Sequence, residues 1–100
     1  MVTTVFRSRL RVEGSDEFLA LAERMLEIAR AMPGFVSYTN FRSADGERAS
    51  IIEFESAEAL QAWRTHPEHA AAMQKGRDSF YEEYSSKIFG DPLRESSFER

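Results

Sequence analysis

One hundred residues with 13 Lys and Arg against 17 Asp and Glu make one domain of net charge -4, large enough to bury about 65% of its unfolded surface. The absence of cysteine excludes a disulfide framework, a thiolate nucleophile and a cysteine-based zinc site, and the acidic balance argues against a nucleic-acid surface, which needs cations to displace counterions. No apolar run reaches the roughly 18 residues of a membrane span, and the first residues lack the basic and apolar segments of a secretion signal, so a cytoplasmic protein is expected.

Val2 to Leu10 is rich in β-formers and reads as a first strand, with Val2, Thr4, Phe6, Ser8 and Leu10 on one side of the pleat. Arg7 and Arg9 fall on the other side, where Glu53 and Glu55 of a later strand are candidate partners. Glu13-Gly14-Ser15 breaks the strand, and Ser15 is placed to cap a helix with Asp16 and Glu17 in its first turn. In that helix, Asp16 to about Met32, the residues Phe18, Leu21, Met25, Ile28 and Met32 form a buried stripe beside Ala22 and Ala29. Pro33-Gly34 ends it. Phe35 to Arg42 is a second strand, with Tyr38 and Asn40 on one face. The Asp45-Gly46 turn leads back into a third, Arg48 to Glu55.

Ser56 caps a short helix, Ala57 to Arg64, that buries Leu60 and Trp63. Pro67 then restarts a helix expected to run to about Phe80, with Thr65 or His66 as its cap and Glu68 reaching back in a capping box. A last strand covers Tyr84 to Phe89. Residues 91–100 form a polar tail that is either frayed or packed on a partner subunit. The order β-α-β-β-α-α-β over residues 1–90 is that of an α+β ferredoxin-like sandwich, a four-stranded antiparallel sheet with helices on one face. Its other face would carry apolar residues a monomer rarely exposes, so a homodimer is expected.

The stretch Ala62 to Arg77 concentrates the chemistry. It holds the only Trp, Trp63, and both histidines, His66 and His69. Helical spacing puts His66, His69, Met73, Gly76 and Phe80 on one face. An ordinary imidazole titrates near 6.5, so either histidine could take a proton at working pH. The plainer alternative has His66 capping its helix and His69 packed against a carboxylate. Two histidines at i and i+3 could share an ion, but no third ligand is fixed, so no metal is expected. Gly76 either leaves room for a ligand or lets a strand approach.

The segments Met32-Pro33-Gly34-Phe35-Val36, Glu53-Phe54-Glu55-Ser56, Ala62-Trp63-Arg64 and His66-Pro67-Glu68-His69 together resemble the antibiotic biosynthesis monooxygenase domain of the dimeric α+β barrel superfamily. The resemblance spans roughly residues 2 to 89. It implies a homodimer with a pocket between sheet and helices in each subunit. It also implies one of two oxidative chemistries: oxidation of quinols or aromatic polyketides by molecular oxygen without a prosthetic group, or binding and degradation of heme. The heme pattern needs an Asn, a Trp and an axial His. Here the three positions hold Ser8, Trp63 and Met73, which disfavours heme as a cofactor. The expectation is a monooxygenase without a cofactor, acting on a small aromatic or quinol-like molecule. His66, His69, Trp63 and Asn40 are its catalytic candidates, and Ser8, Tyr38, Met73, Gly76, Phe80 and Tyr81 its pocket. A small-molecule-binding dimer without turnover is the alternative from another class.

Overall fold

A computed structural model describes residues 1–11 and 16–100. The elements are β1 (Val2–Leu10), α1 (Asp16–Ala31), β2 (Phe35–Arg42), β3 (Arg48–Phe54), α2 (Ala57–Arg64), α3 (Pro67–Lys75), a π-helical turn (Gly76–Phe80) and β4 (Tyr81–Phe89). The four strands form one antiparallel sheet in the order β2-β3-β1-β4. With the helices on one face, this is the ferredoxin-like fold. The expected strand break at Glu13 to Ser15 and the Ser15 cap lie outside the described residues.

Strand alternation sorts the side chains. Thr4 and Ser8 of β1 are buried on the helix side with Ile52 and Phe54 of β3, whereas Arg7 is exposed. Antiparallel register places Ser8 opposite Arg48 and Thr3 opposite Glu53. Arg7 and Arg9 therefore meet the hairpin end of β3. Arg7 pairs with Glu47 at 2.7 Å and Arg9 with Asp45 at 2.8 Å, which corrects the expected partners Glu53 and Glu55. Glu53 accepts instead from the Ser37 hydroxyl at 2.7 Å. In the hairpin, Gly46 takes φ +93°, a conformation its neighbours would resist.

The core lies between sheet and helices. Met25, Ile28 and Ala29 of α1 meet Ile52 and Phe54 of β3 and Leu60 and Trp63 of α2. Ser56 caps α2 as expected, its hydroxyl accepting from the Ala59 amide at 3.1 Å. At α3 the cap is His66, whose Nδ1 accepts from the Glu68 amide at 3.1 Å. The Glu68 carboxylate does not close a capping box. It turns to the Arg24 guanidinium of α1, with contacts of 3.2 and 2.9 Å.

The third helix keeps α geometry only to Lys75. The next five residues widen into the π turn, closed by the Tyr81 amide donating to the Gly76 carbonyl. β4 then begins at Tyr81, three residues before the expected start. Residues 91–100 are exposed and carry no regular structure.

Candidate functional site

A cavity of about 410 Å³ opens between the helix-facing side of the sheet and the helices. Thr4, Phe6 and Ser8 of β1, Tyr38 and Asn40 of β2, and Arg48, Ser50 and Ile52 of β3 form its floor. These sites sit two apart along each strand, so the pleat turns them all to one side. α1 supplies Phe18, Leu21 and Met25, α2 supplies Trp63 and Arg64, and α3 supplies His69 and Met73. The π turn and β4 close one end with Arg77, Phe80, Tyr81 and Tyr84.

At the heart of the site, the Trp63 and His69 rings lie edge to face with centroids 4.3 Å apart. The Tyr38 ring lies 6.0 Å from Trp63 and the Phe54 ring 5.8 Å from it. Trp63 is thus core and cavity wall at once, only 4% exposed. Three buried side-chain polar atoms lack a hydrogen-bond partner among the described residues: Thr4 Oγ1, Trp63 Nε1 and His69 Nδ1. All three belong to residues that line this cavity. A buried polar atom left unpaired is costly, so three on residues around one cavity are groups that gain from meeting a polar ligand or water there.

Burial sets the protonation states. It lowers the His69 pKa, an effect the backbone of Arg64 opposes and the nearby positive charge of Arg64 reinforces. The ring is therefore neutral at pH 7 and able to accept a proton. Burial likewise raises the phenols, Tyr81 to about 12 and Tyr38 in the same direction. Both remain neutral donors. Asn40 Oδ1 accepts from the Ser50 hydroxyl at 2.6 Å, which fixes the carboxamide at the cavity edge.

Eight of the ten candidate residues, Ser8, Tyr38, Asn40, Trp63, His69, Met73, Phe80 and Tyr81, line this one cavity. His66 and Gly76 do not. The expected partnership of two histidines at the cavity fails because His66 Nδ1 is committed to capping α3. Among the described residues, it is the Trp63 ring and not a carboxylate that packs against His69. Gly76 does not open space for a ligand: a Cβ there would collide with the Tyr81 ring, with Cδ2 only 2.8 Å away. The glycine admits the first side chain of β4. Among the described residues, no group of three or more His, Cys, Asp or Glu is arranged to hold a metal ion.

Residues 1–75 match the family described as antibiotic biosynthesis monooxygenase. The chain belongs to that family. It is 36% identical over 84 residues to the uncharacterised protein YqjZ of Bacillus subtilis, covering 84% of this chain and 74% of that one. It is 26% identical to the jasmonate monooxygenase ABM of Pyricularia oryzae over 88% of its own length, but spans only 42% of that enzyme. Among solved structures, Rv0793 from Mycobacterium tuberculosis superposes with a TM-score of 0.80 at 26% identity, covering 96% of this chain and 98% of that one. SnoaB from Streptomyces nogalater, a cofactor-independent oxygenase, gives 0.77 at 20% identity over 93% of this chain and 94% of its own. At that identity the likeness is one of fold.

The antibiotic biosynthesis monooxygenase match ends at Lys75, yet the cavity of this chain is closed by Arg77, Phe80, Tyr81 and Tyr84 beyond it. Sequence reasoning missed Thr4, Phe6, Arg48, Ser50 and Tyr84 as site residues. The signal was present for four of them. Thr4 and Phe6 share the pleat face of Ser8, and Arg48 and Ser50 share that of Ile52.

Proposed function

We propose that this domain is a cofactor-independent monooxygenase, oxidising a small aromatic or quinol-like molecule with molecular oxygen in the cavity beneath Trp63. The observation that carries this reading is the set of unpartnered atoms, Thr4 Oγ1, Trp63 Nε1 and His69 Nδ1, on residues that line one aromatic-walled cavity. Family membership supports oxygenase chemistry, as do the names of two similar proteins, a jasmonate monooxygenase and a cofactor-independent oxygenase.

In this mechanism neutral His69 takes a proton from an enolisable C–H or phenolic O–H of the substrate. The resulting anion has the electron density to reduce oxygen directly. A bond forms from its carbon to one oxygen atom, and reprotonation gives a hydroperoxide. Loss of water from that hydroperoxide leaves a carbonyl, so one oxygen atom enters product and the other leaves as water. Trp63 Nε1 and the Thr4 hydroxyl can donate hydrogen bonds to the developing oxyanion, while Asn40 borders the ring. Heme plays no part in this reading, because Met73 and Ser8 line the cavity where the heme pattern needs His and Asn.

The working unit in this proposal is a homodimer joined through the open sheet face, leaving each cavity on the helix side. The test of the function is oxygen uptake by protein treated with a chelator, against a panel of quinols and hydroxynaphthalenes. Uptake without added flavin, heme or metal supports the proposal. Turnover that depends on any of the three, or none with the whole panel, removes it.

A further inference from the structure

Three arginines, Arg48, Arg64 and Arg77, line the cavity, and no Asp or Glu does among the described residues. The chain as a whole has the opposite balance, 17 acidic residues to 13 Lys and Arg. Arg48 is half-buried, whereas Arg64 and Arg77 are exposed. Its guanidinium carbon sits 5.2 Å from the centroid of the Phe18 ring, and its charge reaches both Tyr38 and Tyr81. Arg48 also borders a surface depression containing Asp45, Glu82 and Glu83. None of them forms an ion pair with it: Asp45 and Glu83 pair with Arg9. Its cross-strand neighbour on β2 is Arg42, another cation.

A guanidinium held over an aromatic ring keeps its planar fork of donors available, and that fork matches a carboxylate through two parallel hydrogen bonds. Arg77 strengthens the positive end of the cavity. It is held there by the Tyr84 hydroxyl at 3.2 Å and the Gln74 side chain at 3.0 Å. The other end is set by the strand. Ile52, which shares the floor with Tyr38 beside Trp63, lies four residues along β3 from Arg48, about 13 Å at 3.3 Å per residue. A flat ring system with an anionic group at one edge spans that distance.

We propose that the cavity takes an aromatic carboxylate, its acid group held by the Arg48 guanidinium and its ring lying toward Trp63 and His69. This names the substrate class of the oxygenase site and rests on that reading for turnover, though not for binding. Arg48 is then a specificity-determining residue that fixes which edge of the ring faces His69.

The test is calorimetric titration of the full chain with 6-hydroxy-2-naphthoic acid and with its neutral amide, 6-hydroxy-2-naphthamide, at pH 7. The expected result is ~10-fold or tighter binding of the acid, the scale of a charge-assisted hydrogen bond. Arg48→Gln should erase that preference by weakening the acid far more than the amide, and Arg48→Lys should restore part of it. Equal binding of the two probes by the unaltered protein, or no binding of the acid, overturns the proposal. So does an acid preference that survives in Arg48→Gln. Oxygen uptake with the same probes separates the two readings. Acid preference with no uptake from these probes or from the whole quinol panel keeps this proposal and removes the oxygenase, whereas uptake from neutral phenols without acid preference does the reverse.

Discussion

At the scale of single residues, the two histidines of the His66-Pro67-Glu68-His69 segment do different work three positions apart. His66 sits at the surface end of α3, where its Nδ1 serves a free amide. His69 is one turn in, under the cover of Trp63, and burial depresses its pKa below 6.5. The unfolded chain therefore binds a proton at His69 more readily than the folded one, so unfolding takes up protons between the folded value and about 6.5. The stability tied to a neutral His69 is present in full above about pH 6.5 and is lost as pH falls from there through the folded pKa. Denaturant midpoints for the unaltered protein and His69→Gln should thus converge or cross as pH drops from 7 to 5. Parallel curves would show that His69 titrates alike in both states. Helical spacing put both histidines on one face but could not separate these fates, because a cap is decided by where the helix begins relative to its neighbours. Arg48 escaped notice for a related reason: only the closed fold shows that a strand-end arginine has aromatic neighbours and, among the described residues, no carboxylate in an ion pair with it.

At the scale of elements, helices and strands with a simple period were legible almost to the residue. The α1 stripe follows the 3.6-residue repeat, and α2 is bracketed by Ser56 and by Thr65, whose amide donates to the Gln61 carbonyl at 2.9 Å. What the sequence pattern could not resolve was the passage from α3 to β4. Residues 76–80 satisfy a helical period, yet the backbone widens there into a π turn, a form that often marks functional sites. The cause is tertiary. The Tyr81 ring fills the place of a Cβ at Gly76 while it meets Phe6 at 5.8 Å, Phe18 at 6.0 Å and Tyr84 at 5.5 Å. Gly76→Ala should therefore lower the melting temperature, because the clamped ring cannot step aside and overpacking of this kind costs about 1–3 kcal/mol. Helix propensity alone argues the other way, by about 1 kcal/mol in favour of Ala. A rise in melting temperature would mean the ring moves freely and the π turn is not shaped by it.

For the whole molecule, the two faces of the sheet divide the labour. The helix-facing side carries the core and the cavity. The other side carries Val5, Phe41, Ile51 and Phe89 among Thr3, Ser37 and Thr39, with Phe41 53% exposed and Phe89 52%. Apolar residues from all four strands on one open face suit a second sheet, and a pair of chains joined there would keep both cavities accessible. Sedimentation equilibrium at micromolar concentration should return about twice the 11.5 kDa chain mass; a single-chain mass would contradict the proposed dimer. The proposed reaction begins at one half-buried imidazole and uses no cofactor. Its most direct measurement is kcat for oxygen uptake, in the presence of chelator, for the unaltered protein, His69→Ala and His66→Ala. Loss of a general base is worth roughly 10²- to 10⁴-fold, so His69→Ala should fall by that amount. His66→Ala should keep its rate while losing about 1 kcal/mol of stability with the cap. Equal rates for all three proteins would contradict the account.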